Sequence, residues 1–448
     1  MKNVDLRKSN ITSALLLFAV PIFMANLFQM LYNTADTVIV SYYLGDTSIA
    51  AIGAATPIYG LLVGFMNGIG NGMGLVMGRS YGADNIKALK KNVAAALVIG
   101  LVISILMVAF SELFMYKLLE SLDTPAEVIG ESFAYIRFIM LFIIIMYLYN
   151  LCASALRAVG DSTTPLIFLL ISSVINIGLD MLFIIKFGMG IEGTAVATVI
   201  AQGISVVLCI VFILIKKRVL VPELSHFKYD GPMVRELLAQ GLSMAMMMAI
   251  VNIGTVILQK AINNLGEEYM ACQTIGRKIM NIFNLPLMAI ATSLSMFVSQ
   301  NKGANNRERI IKGVRTANLI NMAYGLAYFL INLFFARYFV LWMSGTSNEV
   351  IIENGYYYMA VSGFFSMVLG VLFNTRHALQ GLGAKLTPLV SSIIELIGKI
   401  LFVAFIIPFW GYMGVVFCEP IIWCVMTVQL VWTYKRNSYI RGEEKAVI

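Results

Sequence analysis

The chain has 448 residues, 59% of them hydrophobic and only 12% charged, against about 25% charged in an ordinary soluble domain. At a mean hydropathy of +0.84 there is too little polar surface to clothe a soluble core, which excludes a soluble enzyme, a nucleic-acid-binding domain and a disordered chain. The net charge of +8 therefore reads first as membrane topology, because Lys and Arg gather in cytoplasmic loops.

Crossing a bilayer takes about 20 mostly apolar residues. Twelve segments qualify: 12–41, 51–78, 92–116, 130–154, 165–187, 193–215, 239–263, 269–299, 314–341, 354–377, 388–410 and 414–434. An all-α membrane protein of twelve transmembrane helices is expected. Pro21 and Pro57 fall inside the first two spans, where each removes a backbone hydrogen bond and invites a kink. The second span is rich in glycine from Gly60 to Gly78, so another backbone is expected to approach it closely.

The loop charges sort by side. One face collects Lys2, Arg7 and Lys8, then Arg79, Lys87, Lys90 and Lys91, then Lys216, Lys217 and Arg218, then Lys302 to Arg315, and the tail through Lys445. The opposite face is acidic, with Glu120, Asp123, Glu127, Glu192, Glu267, Glu268 and Glu349. The basic face is the cytoplasmic one. This places both termini in the cytoplasm and the chain, multi-pass, in the cell (inner or plasma) membrane.

Other chemistry is thinly represented. The five cysteines lie in apolar runs without metal-ligand spacing, so they read as packing residues. His226 and His377 border basic loops and read as solvated or structural. No phosphate loop, nucleophile elbow or zinc motif appears, so neither an enzyme nor a cofactor is expected.

The chain repeats itself. "ALRAVGDSTTPL" at 155–166 answers "ALQGLGAKLTPL" at 378–389, and "GADN" at 82–85 answers "GANN" at 303–306. Gly190 and Gly193 answer Gly411 and Gly414. This divides the chain into an N-lobe, 1–215, a cytoplasmic linker, 216–238, and a C-lobe, 239–448. Each lobe has six spans, so both run the same way through the membrane. Parallel repeats with a site between them are a transporter plan.

Ionisable residues within a span cost about 2.5–3.5 kcal/mol each on insertion scales and default to functional roles. Asp36 lies inside the first span and Asp180 inside the fifth, with Asn176 one turn before Asp180 on the same face. Tyr32 and Asn33 precede Asp36 by about a turn. In the sixth span Thr194, Thr198, Gln202 and Ser205 form a polar stripe. Carboxylate, amide and hydroxyl oxygens suit a small hard cation, and a carboxylate pair can equally share a proton. In the second lobe Ile257 stands at the position of Asp36 and Val403 at that of Asp180. Glu395 and Lys399 are spaced as a local ion pair, and Glu419 has no partner visible in the sequence.

At these residues the chain resembles the multidrug and toxin extrusion (MATE) family. The resemblance rests on the proline of span one followed by "NTADTVIV" and "YYLG", on "GRSYGADN", on "ALRAVGDSTTP", on "SSVINIGLDMLF" and on the repeated "ALQGLGAKLTP". It implies two pseudo-symmetric six-helix lobes around a central cleft. It also implies export of organic cations or amphipathic drugs in exchange for protons or Na+. The family's cation-coupling site maps onto Asp36, Asn176, Asp180 and Thr198, which would be the metal ligands if Na+ is the ion. Tyr32, Asn33, Asn150 and Gln202 map to the substrate cavity, and Pro21 to the bend of the first helix. Carboxylates that one branch carries in spans seven and ten are absent from the interior of those spans here. The implied partners are small-molecule drugs and the lipid bilayer, the chain acting as a monomer. A lipid or lipid-linked precursor flippase of the same superfamily is the alternative.

Overall fold

The structure is a computed structural model, and it describes residues 5–121, 124–228 and 230–443. Lys2, Asp123 and Lys445, assigned above to the two faces, lie outside the described residues. All secondary structure among the described residues is helical. The N-terminal repeat forms α1 (Ile11–Leu44), α2 (Asp46–Gly82), α3 (Ile86–Ser121), α4 (Ala126–Leu141), α5 (Ile143–Ala158), α6 (Thr163–Met181) and α7 (Glu192–Lys216). The C-terminal repeat forms α8 (Gly231–Asn263), α9 (Glu267–Gly303), α10 (Arg307–Ser344), α11 (Glu349–Gly381), α12 (Leu386–Leu401), α13 (Ile407–Trp410) and α14 (Tyr412–Arg436), and a short α15 (Ser438–Arg441) ends the described chain.

Among the described residues eleven helical stretches are long and apolar enough to cross a membrane, and α4 and α5, bent by 51° at their junction, bring the number to twelve when the pair is counted as one span. That bend has no proline. It falls at Phe142, where the hydrogen bonds Phe142 N to Ile139 O and Ile145 N to Phe142 O tighten the helix to an i to i+3 pattern. Outward-facing side chains such as Leu113, Val174, Val207, Phe334 and Phe405 are apolar and exposed, which lipid tolerates and water does not.

The duplication extends to backbone detail. The only non-glycine residues with positive φ among those described are Asp84 (55°) and Asn305 (52°), at matching places in "GADN" and "GANN". Asp and Asn tolerate this left-handed conformation better than other side chains. In each repeat the next residue caps the following helix: Asn85 Oδ1 accepts from Ala88 N and Asn306 Oδ1 from Arg309 N. Both α6 and α12 run into five-residue π-helical segments, Leu182–Lys186 and Phe402–Ile406.

Those segments correct one equivalence. Helix α6 has 19 residues before its π segment and α12 has 16. The second helix has lost about one turn, so the register that pairs the helix starts does not hold deeper in. Ser172 donates to Leu169 O and Ser391 to Pro388 O, the same bond in the two repeats. From this serine onward Asp180 corresponds to Lys399, not to Val403, and Asn176 to Glu395.

The chain packs as two compact units whose limits differ from the sequence halves. One comprises Met24–Met248, the other Asp5–Phe23 together with Ala249–Ile448. Helix α1 runs unbroken through Pro21 and changes unit two residues later. Helix α8 does the same at Met248 and begins at Gly231, inside the segment expected to be a linker.

Small residues explain the exchange. In the first unit a Cβ on Gly68 would lie 2.6 Å from Ala245 Cα, and one on Gly72 would lie 2.6 Å from Gln240 O. The start of α8 thus rests directly on α2. In the second unit Ser293 of α9 donates to Leu15 O of α1 at 2.9 Å, and Asn301 Nδ2 to Leu6 O at 3.1 Å.

The connection between α7 and α8 docks on the first unit. Lys90 meets Glu223 at 2.9 Å, Arg79 meets Glu236 at 2.7 Å, and Lys217 approaches Asp161 at 3.7 Å. His226 is buried and closes a capping box with Glu223. His377 is also buried and bonded to Phe373 O. Both histidines are structural.

Candidate functional site

The site lies within the first unit. Tyr32 and Asp36 sit one turn apart on α1. Asn176 and Asp180 sit one turn apart near the end of α6, just before the π segment. Thr198 and Gln202 sit one turn apart on α7. A pitch of 3.6 residues puts each pair on one face. Tyr32, Ser172, Ser173, Asn176, Thr198 and Gln202 line a single small cavity of about 10 Å³. That is about the space one water requires. A water, a proton carrier or a bare monovalent ion matches that space, whereas a drug molecule does not.

Asp180 is fully buried, Asn176 is 2% exposed, and Asp36 is partly buried. Asp36 and Asp180 are close enough for their charges to interact. As carboxylates neither can donate. Accordingly Asp36 Oδ1, both Asp180 oxygens, both polar atoms of the Asn176 amide and Gln202 Oε1 are buried without a hydrogen-bond partner among the described residues. No Lys, Arg or His forms an ion pair with either carboxylate there. Each unsatisfied buried polar group costs about 1–3 kcal/mol, more when charged. A proton on one carboxyl, or a small cation between them, supplies the missing partner and removes the like-charge repulsion.

The donor set is oxygen only. No group of three or more His, Cys, Asp or Glu side chains able to hold a metal ion occurs among the described residues. A cation here would be held by two carboxylates with amide and hydroxyl oxygens, which favours a hard monovalent ion over a transition metal.

The other sequence-derived positions fall differently. Asn33 is exposed and does not line the cavity. Asn150 donates to Asn67 Oδ1 at 2.6 Å and to Met146 O at 2.8 Å, so its amide ties α5 to α2. Pro21 lies within α1, buried, fifteen residues before Asp36. Thr194 and Ser205 spend their hydroxyls on Ile191 O and Phe168 O. Sequence reasoning missed Ser172 and Ser173, although Ser172 lies one turn before Asn176.

A duplicated helical membrane protein with a buried carboxylate pair in one repeat has the construction of a membrane transporter. The MatE family model matches residues 21–182 and again 243–406, once per repeat, and the chain belongs to that family. It is similar to the probable multidrug resistance protein YoeA of Bacillus subtilis, 27% identical over 71% of this chain and 70% of that protein. It is also similar to the probable multidrug resistance protein YpnP of the same organism, 25% identical over 88% of each. A solved outward-facing multidrug resistance MATE family transporter of the MOP superfamily shares the fold, with a TM-score of 0.89 and 22% identity, covering 98% of this chain and 99% of that one. As a member of this family the chain is a transporter and not an enzyme.

Proposed function

We propose that this protein is a secondary antiporter that exports organic cations or amphipathic drugs in exchange for protons or Na+ by alternating access. The observation that carries the reading is the carboxylate pair of the first unit, Asp180 fully buried and Asp36 partly so, with Asp36 Oδ1 and both Asp180 oxygens lacking a hydrogen-bond partner among the described residues, on the helices whose Tyr32 and Asn176 line a cavity of single-ion size. The names of the similar Bacillus subtilis proteins support drugs as the exported class. Asp36, Asn176, Asp180 and Thr198 bind the coupling cation. Tyr32 and Gln202 close its cavity.

Charge neutralisation at Asp36 acts on α1, the helix that also carries Pro21. A helix lacking one backbone hydrogen bond bends there at low cost, so loading and release of the cation bias its shape. The drug itself binds elsewhere, because the ion cavity cannot admit it. The protein works as a monomer in the cell membrane with both termini in the cytoplasm, the side on which the basic loops lie.

A lipid-linked substrate calls for free basic groups to meet its headgroup. Lys399, the most buried of the intramembrane cations, is already engaged by Glu395 and Glu419. This favours the drug reading over the flippase one. The test is drug efflux from proteoliposomes with a pH gradient and a Na+ gradient imposed separately, for wild type, Asp36→Asn and Asp180→Asn. One gradient should drive wild-type efflux, and both variants should lose that drive. Wild-type rates from both variants, or no response to either gradient, would sink the proposal.

A further inference from the structure

The second unit holds the counterpart of the cation site, and it is already filled. The serine register equates Asn176 with Glu395 and Asp180 with Lys399, as shown above. The paired glycines Gly193 and Gly414, near the starts of α7 and α14, equate Thr198 with Glu419. Both oxygen-bearing positions around the site thus become carboxylates, and the buried carboxylate becomes an ammonium. Lys399 Nζ lies 3.0 Å from Glu395 Oε1 and 3.3 Å from Glu419 Oε1, and its side chain is 1% exposed. Its stem packs on α8, where a Cβ on Gly254 would come within 3.1 Å of Lys399 Cδ. Ile257, the counterpart of Asp36, contributes no charge.

The pattern is more specific than a buried ion pair. An ordinary pair needs one carboxylate, and none of its positions need match the other repeat. Here a single ammonium is gripped by two carboxylates from α12 and α14, at the two places from which α6 and α7 present Asn176 and Thr198. The charged and titratable neighbours are Arg376, 3.9 Å from Glu395, together with Arg277, Tyr358 and Cys418 near Glu419.

We propose that Lys399 is the permanent, covalently tethered occupant of a second monovalent-cation site. The second unit is then always loaded, and only the first unit exchanges its cation across the membrane. The inference deepens the coupling reading and rests on it for the role of the first site.

The test removes the tether and counts cations. Purified full-length wild type and Lys399→Met are compared for radioactive Na+ bound at equilibrium and for protons taken up on acidification. Lys399→Met is expected to take up one more cation per chain, Na+ or proton, than wild type. Adding Glu419→Gln and Glu395→Gln to it should abolish the gain. A folded Lys399→Met with no gain, or a gain that survives loss of both carboxylates, overturns the proposal. Should Lys399→Met not fold, Lys399→Met/Glu395→Gln strands one carboxylate instead of two, and the same gain is required of it. Only the difference from wild type is read. A wild type that binds no cation at Asp36 and Asp180 would therefore refute the coupling reading and leave this comparison intact.

Discussion

Gly72→Ala is the sharpest structural perturbation, because the obstacle is backbone. The new Cβ would stand 2.6 Å from Gln240 O, 2.7 Å from Gly241 Cα and 2.9 Å from Gln240 C. Real Cβ atoms keep at least 3.0 Å, and no rotamer change moves a backbone atom. Helices α2 and α8 must separate by several tenths of an ångström along their whole seam, including at Gly68 and Ala245. Overpacking of this kind costs about 1–3 kcal/mol. For a unit of this size each kcal/mol shifts Tm by about 2–4 °C.

The control is Gly53→Ala in the same helix, where nothing lies within 4 Å. Its helix-propensity gain largely cancels, since spans stay helical in lipid even when unpacked. The buried free cysteines provide the assay. A thiol-reactive dye on detergent-solubilised protein reports unfolding as Cys152 and Cys209 in the first unit, and Cys272 and Cys418 in the second, become reachable. Gly72→Ala should melt several degrees lower with Gly53→Ala unchanged. Equal melting of all three proteins would refute the close approach of α8 to α2.

Three further outcomes follow from the described contacts. Tyr412→Phe removes the 2.8 Å bond to Gln273 Oε1 in the core of the second unit; a buried acceptor left bare costs about 1–3 kcal/mol, read as a lower melting temperature. The hydrogen bond from Lys90, then the charges of Lys90 and His226, hold the Glu223 carboxyl below its ordinary value of 4.5. Its contribution to stability is therefore complete above pH 4.5 and fades as pH falls through the lowered value; Glu223→Gln should lower the melting temperature slightly at neutral pH and match wild type in acid, which flattens the acid limb of the melting curve. Asn150→Ala breaks the Asn67 contact between α2 and α5, so it should lower thermal stability. If efflux by Asn150→Ala instead fell while its melting temperature held, Asn150 would belong to the transport path.

Much of the site could be read from residues alone, and for a physical reason. A carboxylate in an apolar span is costly enough to stand out, so Asp36 and Asp180 needed no structure to be singled out. Asn176 followed from helical spacing. Thr198 and Gln202 followed from a polar stripe. What the sequence hid was whatever depends on a partner far along the chain. Ser172 and Ser173 resemble any hydroxyl that bonds back to its own helix. That Asn150 bonds Asn67, 83 residues away, could not be read from either residue alone. The bend at Phe142 carries no proline or glycine to announce it.

The repeat shows the same limit and also how it is overcome. Matching loops aligned the starts of α6 and α12, and that register carried Asp180 onto Val403. The loss of one helical turn leaves the buried face unchanged, because about four residues return a side chain to the same direction. Motif spacing therefore shifts while the chemistry of the face persists. Once Ser172 and Ser391 set the register by their common hydrogen bond, the intramembrane charges of the second unit stop being an isolated ion pair. Lys399 then stands where Asp180 stands, and Glu395 and Glu419 stand where Asn176 and Thr198 stand. One repeat keeps an open demand for a cation, and the other meets the same demand with its own side chain. Two equal cation sites would each respond to the gradient. A chain with one open and one tethered site can couple transport to the ion through a single unit, which is why Asp36 and Asp180 carry the efflux test and Lys399 the cation count.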